Sequence, residues 1–239
     1  MQYWLSWQSA YEKIGRIVGM EMDDRAIEWA RKRLPEIISI TKARHGDQSR
    51  VYHLQTPSGN FILKVATALS GERDRLAWVE DKALVPRVIE YTALDDNTDA
   101  LLMTELVGKN LASHKGDWSP EVVVKRLASA IRDFHAIDIT DCPFGSLEEG
   151  KVLVHGDACL PNFIFDGERF SGYVDLGDMR IDYPEVDLSA AIWSLQYNLG
   201  TGYGSQFLTA YGYPDSSEDM VEKLRLQYEE AQRVWGLSR

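Results

Sequence analysis

Val154-His155-Gly156-Asp157-Ala158-Cys159-Leu160-Pro161-Asn162, followed downstream by Tyr173-Val174-Asp175-Leu176-Gly177, is the stretch on which the fold turns. An apolar run leads into a tight His-Gly-Asp turn. Asn162 follows Asp157 by five residues, and Asp175 lies 13 residues beyond Asn162. That order supplies a carboxylate to orient a hydroxyl and two oxygen donors for magnesium. Phosphoryl transfer from ATP has a loose transition state, so the main task is to align the acceptor oxygen and neutralise phosphate charge. Asp157 is the candidate base or orienting group. Asn162 offers one oxygen to the metal while its amide steadies the loop, and Asp175 offers a carboxylate. Mg2+ prefers oxygen ligands in near-octahedral geometry, which such a pair completed by phosphate oxygens and water can meet. His-Gly-Asp alone could be a structural turn; Asn162 and Asp175 in register favour the chemical reading. His155 is expected to brace the loop, bonded to backbone or to Asp175, and Cys159 to pack.

Upstream, Lys64 sits in Phe61-Ile62-Leu63-Lys64-Val65, an otherwise apolar strand. A lysine there must emerge toward water or meet an anion, because a buried unpaired charge is costly. Glu72, on the helix that follows, is its natural partner; Lys64 would then grip the alpha and beta phosphates while Glu72 fixes its rotamer. Gly46-Asp47-Gln48-Ser49-Arg50 lies between the first two strands, where Ser49 and neighbouring amides would contact phosphate. Leu101 to Val107 ends the sheet and can give an adenine ring apolar walls and backbone groups, or be a simple edge strand.

The chain's 239 residues suffice for one medium domain or two small lobes sharing a cleft. Its 37 acidic and 26 basic residues leave a net charge of -11, which disfavours nucleic acid and anionic membranes and suits a cationic substrate, or mere solubility. Cys142 and Cys159, the only cysteines, neither staple a domain of this size nor make a zinc site. No basic run leads into an apolar one near Met1 and no stretch approaches 18 apolar residues, so a cytoplasmic protein is expected.

Residues 1–22 read as an extension, 23–107 as a nucleotide-binding lobe and 108–239 as a catalytic and substrate-binding lobe, with the period changing near Val107-Gly108. The first lobe combines a helix from Asp24 to Leu34, five strand-like runs, and a helix capped by Ser70. In the second, Ser119-Pro120-Glu121 starts a helix with Val123, Val124, Leu127, Ile131 and Phe134 on its apolar stripe. Leu188 to Leu195 reads as a buried helix, and Ser216 with Asp219 as the capping box of a last helix through Trp235. The fold class is α+β: an antiparallel sheet with an inserted helix, then a mainly helical part.

Val154 through Asn162 and Phe170 through Gly177 resemble the aminoglycoside 3'-phosphotransferases, antibiotic kinases with the two-lobed protein-kinase-like fold. Phe61 to Ala68, Glu72 to Trp78, Leu101 to Gly108 and Phe134-His135-Ala136 leading to Cys142-Pro143-Phe144 agree, so the likeness covers roughly 25–235. It implies transfer of the gamma-phosphate of ATP, or GTP in some members, to an aminoglycoside hydroxyl, the 3'-hydroxyl favoured, with Mg2+. By position, Asp157 matches the catalytic Asp, Asn162 and Asp175 the magnesium ligands, Lys64 and Glu72 the phosphate-binding pair, and Met103, Glu105 and Val107 the adenine hinge. Asp187 matches an acidic residue bracing the catalytic region. Glu229 and Glu230 match the family's substrate-binding acidic tail loosely, and Asp178 is a further neighbour of the acceptor. The family's helical insertion before His-Gly-Asp is missing: only Gly145 to Val154 intervenes, leaving Glu148 and Glu149 as its carboxylates. The tail also departs, ending Trp235 to Arg239. The resemblance thus implies a cationic acceptor and a monomer or weak homodimer. A kinase for another small-molecule alcohol, or a nucleotide-binding protein without transfer, are the alternatives.

Overall fold

The computed structural model describes residues 22–43, 49–95, 97–114 and 116–234. Most of the expected 1–22 extension, Gly46-Asp47-Gln48 of the loop before Ser49, and Trp235 with the tail lie outside the described residues. The chain divides into two compact units. One holds the described residues up to Ser70 with Val88–Glu105; the other holds Gly71–Arg87 with Leu106 onward.

The first unit opens with α1 (Met22–Arg31), after which the chain turns into Pro35, whose missing N–H prevents another helical turn. Five strands follow: β1 (Ser39–Lys42), β2 (Arg50–Thr56), β3 (Gly59–Ala66), β4 (Val88–Asp95) and β5 (Thr98–Thr104). They form one antiparallel sheet in the order β1-β2-β3-β5-β4. Alternation along β2, β3 and β5 sends Tyr52, Leu54, Leu63, Val65, Ala100 and Leu102 into one core with Ala26, Trp29 and Ala30 of α1. Side chains of a strand alternate faces, so Lys64, its cross-strand partner Leu101, and Met103 share the face turned away from α1. Asp23 ties α1 to the sheet, accepting from Tyr52 Oη and from Lys42 Nζ at 3.0 Å and pairing with Arg50.

Helix α2 (Leu69–Val79) starts in the first unit and runs into the second. Ser70 is not its cap: it lies within the helix, and the Leu69 N–H is satisfied by Asp99 Oδ2 at 2.9 Å. Buried on β5, Asp99 supplies from across the sheet the acceptor that local sequence was expected to provide.

The second unit continues with β6 (Lys109–Asn110), α3 (Pro120–His135), β7 (Val152–Val154), β8 (Phe163–Asp166), β9 (Arg169–Tyr173) and β10 (Arg180–Asp182). Helices α4 (Glu185–Leu199), α5 (Gly204–Tyr211) and α6 (Glu218–Val234) complete it. β6-β8-β9 form a small sheet, and β7 pairs with β10. α3 buries the stripe its spacing implied, and Phe134 packs 4.7 Å from the Tyr173 ring. α4 is buried over most of its length from Asp187 to Leu195. α5 was not foreseen from sequence; its signal is Gly212 in left-handed conformation, whose N–H closes on Leu208 O at 3.0 Å. The cap of α6 is Ser217, one residue later than expected: its Oγ accepts from Met220 N at 3.3 Å, while Asp215 Oδ1 holds Ser217 N at 2.9 Å. This is the α+β organisation of the protein-kinase-like fold, a sheet with helices followed by a mainly helical part.

One close approach fixes β9. Tyr173 N donates to Leu84 O at 2.9 Å, and a Cβ on Gly172 would stand 2.3 Å from that oxygen, at a φ of +145°. Gly172→Ala should therefore lower stability by about 2–4 kcal/mol, read as a drop in the urea midpoint; an unchanged midpoint would contradict this packing.

Candidate active site

β7 delivers the chain to His155, and the turn that follows is pinned by a buried carboxylate. Asp187, at the start of α4, accepts from His155 N at 2.7 Å and Gly156 N at 2.9 Å, and meets His135 Nε2 at 3.0 Å. Tyr211 Oη holds the other ring nitrogen of His135 at 2.8 Å. Burial alone would raise the Asp187 carboxyl; the His135 hydrogen bond, the neighbouring imidazoles and the His155 amide outweigh it and hold the carboxyl below its ordinary value. His155 is itself buried. Its Nε2 sits 3.0 Å from Val174 O and its Nδ1 accepts from Asp157 N at 3.3 Å, which fixes the tautomer with the proton on Nε2. It braces two backbone segments.

Those segments meet. Gly156 has φ +89°, and a Cβ there would lie 2.4 Å from Asp178 O, so the Asp157 turn closes on the Asp175–Asp178 loop. Asn162 Nδ2 donates to Asp157 O at 2.8 Å and to Asp157 Oδ2 at 3.0 Å. Val174 N donates to Asn162 O at 3.0 Å, placing Asp175 one residue away. Both of these contacts are made by the Asn162 amide nitrogen, which leaves Oδ1 as the acceptor atom of the side chain. Asp175 is exposed and holds a φ of +62°, a conformation non-glycine residues seldom adopt and which concentrates at functional sites. Among the described residues no group of three or more His, Cys, Asp or Glu converges as a metal cluster. An Asn–Asp pair needs none, since Mg2+ takes one or two protein carboxylates plus phosphates and water.

The remaining sequence candidates divide between the units. Lys64, half-buried, and Met103, buried, stand on one face of the first unit's sheet, and Ser49 precedes β2. Glu105 accepts from His53 Nδ1 at 2.7 Å, and Val107 is exposed. Glu72 is buried in the second unit, its Oε2 4.0 Å from where a Cβ on Gly177 would be, beside the Asp175 loop. Asp178 is exposed; its backbone carbonyl accepts from Arg180 Nη1 at 3.0 Å and packs closely against Gly156. Glu148 is engaged by Lys151 Nζ at 2.8 Å in the exposed loop that also carries Glu149. Arg225 pairs with Glu222 at 2.8 Å and with Glu229, and Arg233 lies 3.5 Å from Glu230. The structure also gathers the aromatic side chains Trp193, Tyr197 and Tyr228, which the sequence reading did not single out; the four-residue step from Trp193 to Tyr197, one face of a helix, was the available signal.

The residues 39–151 and 146–222 match the model of the phosphotransferase enzyme family, in two stretches that meet at the short Gly145–Lys151 loop. The chain belongs to that family. The aminoglycoside 3'-phosphotransferase of Niallia circulans is 31% identical over 221 residues, 72% of this chain and 84% of that protein. That of Enterococcus faecalis is 32% identical over 224 residues, 71% and 84%. The crystal structure of an aminoglycoside-3'-phosphotransferase of type VIII has the same fold, with a TM-score of 0.67 at 23% identity over 85% of this chain and 97% of that one. This phosphotransferase is therefore an ATP-dependent small-molecule kinase of the aminoglycoside-phosphotransferase type. Among its described residues no helix is long and apolar enough to cross a membrane.

Replacing the Asp187 carboxylate by an amide removes the charge that meets His135 and takes the acceptor from one of the two turn amides, at His155 and Gly156, that it serves. Asp187→Asn should cost about 3–5 kcal/mol in denaturant unfolding. A carboxyl whose folded pKa lies below its unfolded value of about 3.9 adds stability that is complete above that value. The contribution is lost as pH falls through the folded pKa. Wild type should thus lose stability below about pH 4, and the variant should lack that part of the acid limb; parallel acid limbs would remove Asp187 from this account.

Proposed function

We propose that the enzyme transfers the gamma-phosphate of ATP to a hydroxyl of an aminoglycoside, the 3'-hydroxyl favoured. The observation that carries this reading is the Asn162–Asp157 contact of 3.0 Å beside Asp175, which gathers an orienting carboxylate and two oxygen donors at one pair of loops. Asp157 accepts the hydrogen bond of the acceptor hydroxyl and takes its proton as the new oxygen–phosphorus bond forms and the bond from the gamma-phosphorus to the bridging oxygen breaks. ADP leaves with that electron pair. Asn162 Oδ1 and the Asp175 carboxylate would hold Mg2+, which when bound neutralises phosphate charge. Lys64 serves the alpha and beta phosphates, Glu72 orients within that half of the site, and Met103, Glu105 and Val107 serve the adenine with Ser49 at the phosphates. Residues 23–107 act as the nucleotide lobe and 108–239 as the catalytic lobe. The 3' preference is supported by the names of the relatives from Niallia circulans and Enterococcus faecalis. A net charge of -11 suits a cationic acceptor met in the cytoplasm by a monomer or weak homodimer; the donor is ATP, with GTP the alternative.

A kinase for a different small alcohol is the second reading. It is favoured by the short loop in which Glu148 is already engaged by Lys151. Phosphate transfer to kanamycin A and to a 3'-deoxy aminoglycoside separates the possibilities. The 3' reading requires transfer to the first only, and transfer to neither, with turnover on another alcohol, moves the enzyme to the second reading. Asp157→Ala should lower kcat about 10²–10⁴-fold while calorimetry still records magnesium-dependent ATP binding. Transfer that survives the substitution would end the mechanism. Lys64→Ala should raise the KM for ATP more than that for the acceptor; the opposite split would detach Lys64 from the nucleotide.

A further inference from the structure

Beside the catalytic turn lies a group of rings that the phosphoryl chemistry does not use. Trp193 and Tyr197, one turn apart on α4, stack with centroids 5.3 Å apart and planes within 9°. Tyr228 of α6 packs on Trp193 at 5.3 Å and 39°. Its Oη is 3.8 Å from Cys159 Sγ, and Cys159 is two residues from Asp157 in the same turn. The thiol also lies 3.9 Å from Ala190 O of α4. A chain of contacts thus runs from Cys159, in the Asp157 turn, through Tyr228 to Trp193 and Tyr197. The same turn is fastened to α4 by Leu160 N, which donates to Ser194 Oγ at 3.0 Å, so its position relative to Trp193 is fixed.

Exposure at the far end is high. Tyr197 keeps 72% of its surface in water although it belongs to a helix that is otherwise mainly buried. A lone exposed aromatic needs no explanation, but a stacked pair linked through Tyr228 to the turn that carries Asp157 does. Aromatic faces carry a negative quadrupole and attract ammonium groups and the C–H face of a sugar ring. The carboxylates on α6 are less available to a cation: Arg225 pairs with Glu222 and Glu229, and Arg233 with Glu230. On the α4–α6 side of the turn, cation recognition is then left to rings more than to the α6 acids.

We propose that Trp193, Tyr197 and Tyr228 form an acceptor subsite, on which a ring of the substrate bearing an ammonium group stacks while its neighbour presents a hydroxyl to Asp157. This rests on the kinase reading above, and makes Tyr197 a specificity-determining side chain for a ring-shaped cationic acceptor. The stack needs no hydroxyl on Tyr197, so phenylalanine substitutes there and alanine does not. Acidic tail residues become secondary to the aromatic face.

The full chain, its Tyr197→Ala and Tyr197→Phe variants, and Trp193→Leu are compared with kanamycin A and ATP. Steady-state kinetics gives KM and kcat, calorimetry gives kanamycin binding directly, and circular dichroism reports folding. Tyr197→Ala should raise both the KM and the Kd for kanamycin about 5–10-fold, with the KM for ATP within twofold and the loss falling on KM rather than kcat. Tyr197→Phe should stay within about twofold of wild type on both. Folded Tyr197→Ala and Trp193→Leu proteins with unaltered kanamycin KM and Kd would overturn the subsite. If wild type binds kanamycin without phosphorylating it and Tyr197→Ala weakens that binding, the subsite stands and the transfer reading fails. If wild type neither binds nor phosphorylates kanamycin, both fall.

Discussion

The buried carboxylate of Asp187 is the constraint from which the Asp157 turn follows. A turn that exposes Asp157 cannot satisfy its own amides by secondary structure, and buried N–H groups left without partners are costly. Asp187 takes two of them, at His155 and Gly156, and is itself stabilised by His135 and, through it, Tyr211. One side chain thereby links α3, α4, α5 and the end of β7. The same logic governs His155, whose ring spans Val174 O and Asp157 N. Each brace is a hydrogen-bonding residue held by packing, so the geometry at Asp157 is set before any ligand arrives.

In the first unit the organising fact is parity. Because β3 and β5 are antiparallel and in register, Lys64 and Leu101 stand opposite one another, and Met103 follows two residues on. α1 covers the other face through Ala26, Trp29 and Ala30. The candidates for phosphate and adenine contact therefore share a face because of strand periodicity, and a one-residue slip would send Lys64 into the α1 core.

Much of this was legible in sequence. The strands of the first unit announce themselves through alternation, and α3 through Ser119-Pro120 and a clean apolar stripe. The Asp157–Asn162–Asp175 spacing is legible because adjoining loops held together by backbone and amide hydrogen bonds leave a fixed separation. What escaped was decided at long range. The start of α2 is capped by Asp99, 30 residues away, and no local pattern contains that acceptor. α5 is short and its stop signal, Gly212, is distinctive only once Phe207 and Leu208 are known to be buried. The aromatic group combines α4 with α6, and only their packing brings Tyr228 to Trp193.

Asp175 combines two demands that few amino acids meet together. Its backbone is left-handed, which glycine, asparagine and aspartate tolerate better than other residues. Of those three, only aspartate is an anion. Asparagine would keep the loop's shape without its charge, and glutamate would keep the charge on a backbone that resists the shape. The position admits one solution to both requirements, so substitution there trades conformation against electrostatics with no neutral exchange.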